Sequence, residues 1–318
     1  MNHIGELTVD TISKTITRPV RREDYEQIRC LLLQTQAIAP MGFNWDIRRW
    51  EGRCWYDKNE TGDPDWHKNS QLWQTADNHL IGLVHPDGPG FTNIQIHPDY
   101  RHLEAEMIDW AENHLTAAKA DGTGRQLQFF VYEYDVQRQQ LLAERGYQKT
   151  SYGGVIRNMR LRQRPLPNPQ LAPGYSLRST EPENGRDAQQ IADLLNAAFQ
   201  RTFHNALEYQ QFTRHAACFH RELDLVAVAE DGRIAAYVGI PYDEFNQRGI
   251  FEPVCTHPDH QQKGLAKALM QEGLHRLKAR GAIDVVVDTG DMIPANRLYT
   301  SMGFTEIYKG YDWLYEIV

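Results

Sequence analysis

The sequence predicts a mixed α/β protein in which one fold occurs twice in tandem. His97-Pro98-Asp99-Tyr100 returns as His257-Pro258-Asp259-His260, 160 residues later. Leu141-Leu142-Ala143-Glu144-Arg145-Gly146-Tyr147 parallels Leu298-Tyr299-Thr300-Ser301-Met302-Gly303-Phe304 at an offset of 157 residues. Two matches in one order at nearly one spacing point to a duplication. Between the copies stand Pro165, Pro167, Pro169 and Pro173. Proline lacks the N–H that a helix interior or a central strand needs, so this stretch reads as a stiff extended linker. The expected division is a first domain over 1–162, a linker over 163–173 and a second domain over 174–318.

Each His-Pro-Asp turn follows an apolar strand-like run and precedes a helix. Leu103, Met107, Trp110, Ala111 and Leu115 mark the buried face of the first helix; Ala266, Leu269, Met270, Leu274 and Leu277 mark that of the second. Both sets recur at helical spacing. In the second half, Tyr175 to Arg178 reads as a strand and Asp187 to Phe199 as a helix with Ile191, Leu194, Leu195 and Ala198 inward. A second helix is expected over Glu208 to Phe219. Leu223 to Ala229 and Ile234 to Ile240 form a hairpin about Asp231-Gly232. Gly249 to Thr256 is expected as one strand, followed by the long helix. Ala282 to Asp288 is a very apolar strand and Ala295 to Ser301 a short helix. Thr305 to Tyr311 and Trp313 to Ile317 are the last strands. Hairpins followed by alternating helices and strands give a mixed sheet flanked by helices.

The chain has 318 residues, 34 Lys and Arg against 42 Asp and Glu, and a net charge of −8. That balance argues against nucleic acid as the main partner. Cys30, Cys54, Cys218 and Cys255 form no CxxC pair, so neither a metal signature nor a disulfide framework is expected. No apolar run reaches membrane-spanning length and no signal-peptide core stands at the start, so a cytoplasmic protein without a membrane partner is the expectation.

The chemistry concentrates after His257. Gly264 falls in the first turn of a helix, where a missing side chain lets a ligand approach the backbone. The amides of Gln261, Gln262, Lys263, Gly264, Leu265 and Ala266 would face an anion such as a phosphate, with Lys263 and Lys267 adding charge. The pattern is neither a Walker A loop nor the Gly-x-Gly-x-x-Gly dinucleotide motif.

Gln261-x-x-Gly264-x-Ala266 resembles the acetyl-coenzyme A motif of the GNAT acetyltransferase superfamily, Gln/Arg-x-x-Gly-x-Gly/Ala. Asn296, Tyr299 and the Gly303-Phe304 pair resemble its later signature, with the apolar Val285-Val286-Val287 between. The resemblance implies two GNAT-like acyl-CoA N-acyltransferase domains in tandem. It implies acetyl-CoA as cosubstrate, its pyrophosphate on the helix start and its pantetheine between splayed strands at Phe251–Thr256 and Asp284–Asp288. Val254, Cys255 and Thr256 would line that channel, with a backbone N–H near Val254 or Cys255 polarising the thioester carbonyl. Asn296 would hydrogen-bond the cofactor or the helix that carries Tyr299. An acceptor amine would attack directly, Tyr299 would protonate the leaving thiolate, and Glu252 is the preferred base. Asp243, Glu244, His257 and water remain open for that role; His257 is as well explained as a brace of the turn. Cys255 has no His/Asp arrangement to activate it.

In the first half, Arg101, Glu104 and Glu106 stand at the places of Gln261, Gly264 and Ala266, and Gln139 and Leu142 at those of Asn296 and Tyr299. Two carboxylates repel a polyphosphate and leucine donates no proton. This half is expected to be a degenerate copy without the usual acetyl-CoA site, structural or shaping its neighbour's acceptor site. Trp45, Trp50, Trp55, Trp66 and Trp73 form either a local core or the lining of a pocket or interface. The acceptor is a small-molecule or peptide amine; oligomeric state is not legible. The alternative function is a non-catalytic acyl-CoA-binding sensor or interaction protein, against which Tyr299 argues, since binding alone requires no proton donor.

Overall fold

The computed structural model describes residues 15–38, 43–56, 65–161, 165–290 and 292–317. The first fourteen residues of the first expected domain, positions 162–164 at the linker, and 57–64 within the tryptophan-rich stretch lie outside them. The first half runs β1 (Ile16–Pro19), α1 (Tyr25–Ile38), α2 (Ile47–Trp55), β2 (Gln71–Gln74), β3 (Leu80–Pro86), β4 (Phe91–Ile96), α3 (Glu104–His114), β5 (Ala117–Ala118), β6 (Arg125–Tyr132), α4 (Val136–Glu144) and β7 (Gln148–Arg160). The second runs β8 (Tyr175–Ser179), α5 (Gly185–Phe199), α6 (Ala206–His215), β9 (Asp224–Ala229), β10 (Ile234–Gly239), β11 (Tyr242–Asp243), β12 (Arg248–Ile250), β13 (Val254–Thr256), α7 (Leu265–Ala279), β14 (Asp284–Thr289), α8 (Ile293–Met302) and β15 (Glu306–Ile317).

The two halves do not keep separate sheets. One large sheet has the order β1-β2-β3-β4-β6-β15-β7-β14-β12-β11, with β5 beside β6; a second sheet has the order β13-β10-β9-β8. The last strand of each half thus sits in the territory of the other. β15 lies antiparallel between β6 and β7, and β7 lies antiparallel to β14. Gly153, Gly154 and Gly310 sit at this crossing, where a Cβ on Gly310 would collide with the Phe130 ring. The proline-rich linker separates stretches of chain, while the sheet runs across it.

The stretch expected as one strand over Gly249–Thr256 is two. β12 pairs parallel with β14, and β13 pairs antiparallel with β10. The break is physical: Pro253 has no N–H, and at Phe251 and Glu252 the backbone changes partner, from the Val286 carbonyl at 2.9 Å to the Gly239 carbonyl at 3.0 Å. Strands β13 and β14 therefore diverge, leaving a cleft between the two sheets. The last two expected strands are one, β15, irregular between Tyr311 and Trp313.

Periodicity located the core well. Leu269, Met270, Leu274 and Leu277 of α7 are buried against Val238, Ile240, Phe251 and Val285; Met107 and Ala111 of α3 are buried in the first half. The tryptophans are core, and more than local core. Trp45, Trp50 and Trp66 pack in one cluster with Phe212, Ile250 and Val286 of the second half. Beside them, buried Glu51 accepts from Arg29 at 2.9 Å and from the Cys218 amide at 2.8 Å. Among the described residues no helix is long and apolar enough to cross a membrane.

Candidate functional site

His257 accepts the Asp259 amide at 3.2 Å through its ring nitrogen, so it braces the turn. The backbone then bulges outward: Gln261 is extended, Gln262 has φ 62° and Gly264 φ 73°. At a positive φ a side chain is strained, and glycine is the residue at ease there. Helix α7 starts only at Leu265, and its first bond runs from the Ala268 amide to the Gly264 carbonyl at 3.0 Å. The amides from Gln262 to Lys267 make no protein hydrogen bond among the described residues, whereas the Gln261 amide, expected to face the anion, is turned back to the Pro258 carbonyl at 3.4 Å and closes the turn. Gln261, Gln262, Lys263, Gly264 and Lys267 are exposed, and no atom lies within 4 Å of where a Gly264 Cβ would stand. This is a nest of donors at the positive end of a helix, open on its outer side, as an anion site requires. Lys263 is tethered at its edge, donating to the Tyr175 hydroxyl at 2.8 Å. Leu265 is buried and holds the helix down.

The register of β13 decides which strand amides face the cleft. The His257 amide donates to Ala235 and the Gly239 amide to Pro253, so pairing parity turns Cys255, opposite Tyr237, toward β10. Val254 and Thr256 turn their amides to the open side, where a carbonyl can be polarised. Burial pushes the Cys255 thiol up to about 12, which makes it an inert core group.

Tyr299 lies on α8, which Gly303 ends with φ 96°. The ring is 5% exposed and packs in the core with Phe304. Burial, reinforced by Cys255, Asp288 and Glu252, raises its hydroxyl to about 12, so it stays protonated at neutral pH. Asn296 is engaged with protein groups: its amide donates to the Gly290 and Met292 carbonyls at 2.9 and 3.0 Å, and its oxygen accepts from Arg157 at 2.7 Å. It ties down the helix that carries Tyr299.

Glu252, 39% exposed, faces the first half, where the Arg48 guanidinium of α2 stands 3.4 Å away. Arg49 reaches Asp288, at the end region of β14, at 3.8 Å and Asp87 at 3.4 Å. Desolvation in the cleft, opposed by Arg49 and aided by Glu252 and Asp46, raises the Asp288 carboxyl to about 7. Asp46 caps α2, accepting the Arg49 amide at 2.9 Å. The cleft wall opposite Tyr299 is therefore built partly by the first half. Of the other base candidates, Asp243 is buried and accepts from both nitrogens of Asn246, while Glu244 pairs outward with Arg280.

The corresponding place in the first half is filled. After His97, the chain runs through a short 3-10 helix, kinked at Tyr100, directly into α3 with no positive-φ residue, and the Glu104 amide is spent on the Arg101 carbonyl. Glu104, fully buried, accepts from Arg101 at 2.6 Å and from Arg138 at 3.2 Å; Asp135 takes Arg101 at 2.6 Å. Both guanidinium groups lie over Phe43, at 4.1 and 5.5 Å. Arg138 also reaches the Ile94 carbonyl, at 3.4 Å. Glu106 accepts the Trp73 indole N–H at 2.8 Å. Leu142 is buried where the second half has Tyr299.

Sequence reasoning missed Asp46, Arg48, Arg49, Asp288 and Arg157. Only Asp288 left a usable signal: a carboxylate near the carboxyl end of an apolar strand, two residues before a glycine, where ligands collect in open α/β sheets. The others face the site only because the halves pack together.

Residues 188–304 match the acetyltransferase (GNAT) family model. A streptothricin acetyltransferase from Streptomyces lavendulae is 32% identical over 80 residues, which cover 25% of this chain and 42% of that enzyme, so the match spans less than half of the curated relative. A GCN5-related N-acetyltransferase structure from Sphaerobacter thermophilus superposes with a TM-score of 0.63 at 19% identity, covering 95% of each chain. A tandem GNAT protein from the clavulanic acid biosynthesis pathway superposes with a TM-score of 0.62 at 15% identity, covering 95% of this chain and 98% of that one. At these identities the superpositions speak to fold.

Proposed function

We propose that this chain, whose second half belongs to the GNAT family and whose two halves repeat the GNAT fold, is an acetyl-CoA-dependent N-acetyltransferase with one working site in its second half. The observation that carries the reading is the outward loop from Gln262 to Gly264, whose unbonded amides suit a diphosphate, in the same half as a buried, protonated tyrosine. A binding module needs the first and has no use for the second.

The residues divide the work. The Gln262 to Lys267 amides hold the diphosphate; the Val254 and Thr256 amides line the channel, and the former polarises the acetyl carbonyl. The acceptor nitrogen attacks that carbon, the C–N bond forms and the C–S bond breaks. Tyr299 gives its proton to the departing sulfur. The amine's proton goes to Glu252, directly or through water. A second reading gives that role to Asp288, favoured by its carboxyl near 7, where a base is half-ready at neutral pH. The acceptor is a small-molecule amine. Asp46, Glu252 and Asp288 beside the centre favour one that arrives as an ammonium ion, and the streptothricin acetyltransferase match supports an amine-bearing small molecule.

Titration calorimetry with acetyl-CoA, followed by an amine panel read by thiol release, tests the reading. Binding at one site per chain and thiol release with at least one amine are expected. Binding with no release on any amine leaves the sensor reading standing; no binding removes both.

A further inference from the structure

Helix α8 sits at the surface, with Met292, Ile293, Pro294, Arg297, Thr300 and Ser301 exposed, yet it carries the acid of the proposed reaction. What holds it is a residue of the other half. Arg157 lies on β7, opposite Val287 of β14 on one side and Ile307 of β15 on the other. It is only 8% exposed. Its Nε donates to Asn296 Oδ1 at 2.7 Å, near the start of α8; its Nη1 donates to Thr300 Oγ1 at 3.2 Å and to the Phe304 carbonyl at 3.3 Å, just past the end. One guanidinium thus spans the helix from first turn to last, with Tyr299 inside the span.

The acceptors are all neutral, and no salt bridge involves Arg157 among the described residues. A buried cation without a counter-ion is a poor device for stability alone. It is well suited to a phenol that becomes a phenolate as it gives up its proton. The charged and titratable groups that face Tyr299 are Cys255 on β13, Glu252 before it, Asp288 on β14 and Arg157 on β7; Arg157 is the cation among them.

We propose that Arg157 is a positioning residue for proton donation: the first half lends it, on the exchanged strand, to fix helix α8 at both ends and hold the Tyr299 hydroxyl at the cleft. The proposal rests on the acetyl-transfer reading above and gives the degenerate half a part in the chemistry.

The test uses the full chain with Arg157→Gln, Arg157→Lys and Thr300→Val, each in the wild type and in a Tyr299→Phe background. Three quantities are read: kcat at saturating substrates, the acetyl-CoA Kd, and amide exchange of residues 293–302 against 265–279. Misplacement of the acid by Arg157→Gln should lower kcat by roughly 10²-fold while Kd stays within about threefold. Arg157→Lys should recover part of the loss, and Thr300→Val, at an exposed position that leaves the fold intact, should lose a few-fold. In the Tyr299→Phe background the same substitutions should cost nothing further. Exchange should quicken in α8 and not in α7. Equal kcat in wild type and variants, or an equal loss in both backgrounds, overturns the proposal. A wild type without turnover on any amine overturns the transfer reading instead; in that case unchanged α8 exchange in Arg157→Gln overturns the positioning role by itself.

Discussion

The two His-Pro-Asp turns start alike and end differently. In each, the histidine ring accepts the amide two residues on, at 3.3 Å in the first half and 3.2 Å in the second. Beyond that point the first half passes through a kinked 3-10 turn and spends the Tyr100 and Glu104 amides on its own carbonyls, whereas the second half detours through two left-handed residues and leaves its amides outward. A site can thus be lost in two ways at once. Glutamate at the Gly264 place brings the wrong charge, and the turn that runs into α3 without left-handed residues presents no outward nest of donors. The vacated room holds Glu104, Arg101, Arg138, Asp135 and Phe43 instead. What persists is the shared mechanics: Gln139 ties the start of α4 to the Tyr132 and Glu133 carbonyls, each at 2.9 Å, as Asn296 ties α8.

The sharpest break in this contrast is Tyr299→Phe, which removes the proton as Leu142 does. It should lower kcat by about 10³-fold with acetyl-CoA affinity kept. Because the hydroxyl lies near 12, the wild-type rate should show no loss from this group as pH rises to about 10; a fall assigned to Tyr299 near neutrality refutes its role.

Next in size is Glu104→Gln. Burial alone would raise this carboxyl, but Arg138 and Arg101 outweigh burial and hold it below the usual range. A depressed carboxylate contributes stability above its unfolded pKa of about 4.5 and loses it as pH falls through the folded value. The variant leaves the buried Arg138 and the partly buried Arg101 under-paired and should lose roughly 3 kcal/mol at pH 7 by urea unfolding, with a flatter acid limb. Acetyl-CoA stoichiometry should stay at one; a second equivalent bound would show that the first half had kept its site.

Gly264→Glu imposes the first half's residue on the second. The side chain meets open space, though φ 73° strains it, so the protein should fold while acetyl-CoA Kd rises roughly 10²-fold by calorimetry through like-charge repulsion and strain in the loop. Equal affinity in both proteins would empty the proposed site.

The smallest effect belongs to Asp288→Asn. A carboxyl raised to about 7 binds its proton more tightly folded than unfolded, so its ionisation costs stability as pH climbs from about 4 to above 7. The variant escapes that cost. Its Tm advantage should be near zero at pH 4 and about 2 °C at pH 8. An advantage that shrinks with rising pH contradicts the sign.

Some of this was legible because it is local. The helix faces, the glycine-ended turns and the Gly264 loop depend on φ preferences, spacing and unpaired amides within a few residues of one another. Even the contrast between the halves could be read from the residues, since Glu104 and Leu142 stand where Gly264 and Tyr299 do. The one-strand reading of Gly249–Thr256 failed at Pro253, where the strand changes sheets, because partner exchange depends on neighbours far along the chain.

By itself the sequence determined the duplicated α/β plan, the outward glycine turn and the place of the tyrosine. The tertiary structure alone decided that the last strands exchange, that Arg48 and Arg49 wall the cleft, and that Arg157 braces α8. The physical reason is range. A backbone conformation is set by its own residues, but a side chain's partner 140 positions away, as Thr300 is from Arg157 to within a few residues, is set by the packing of every element between them.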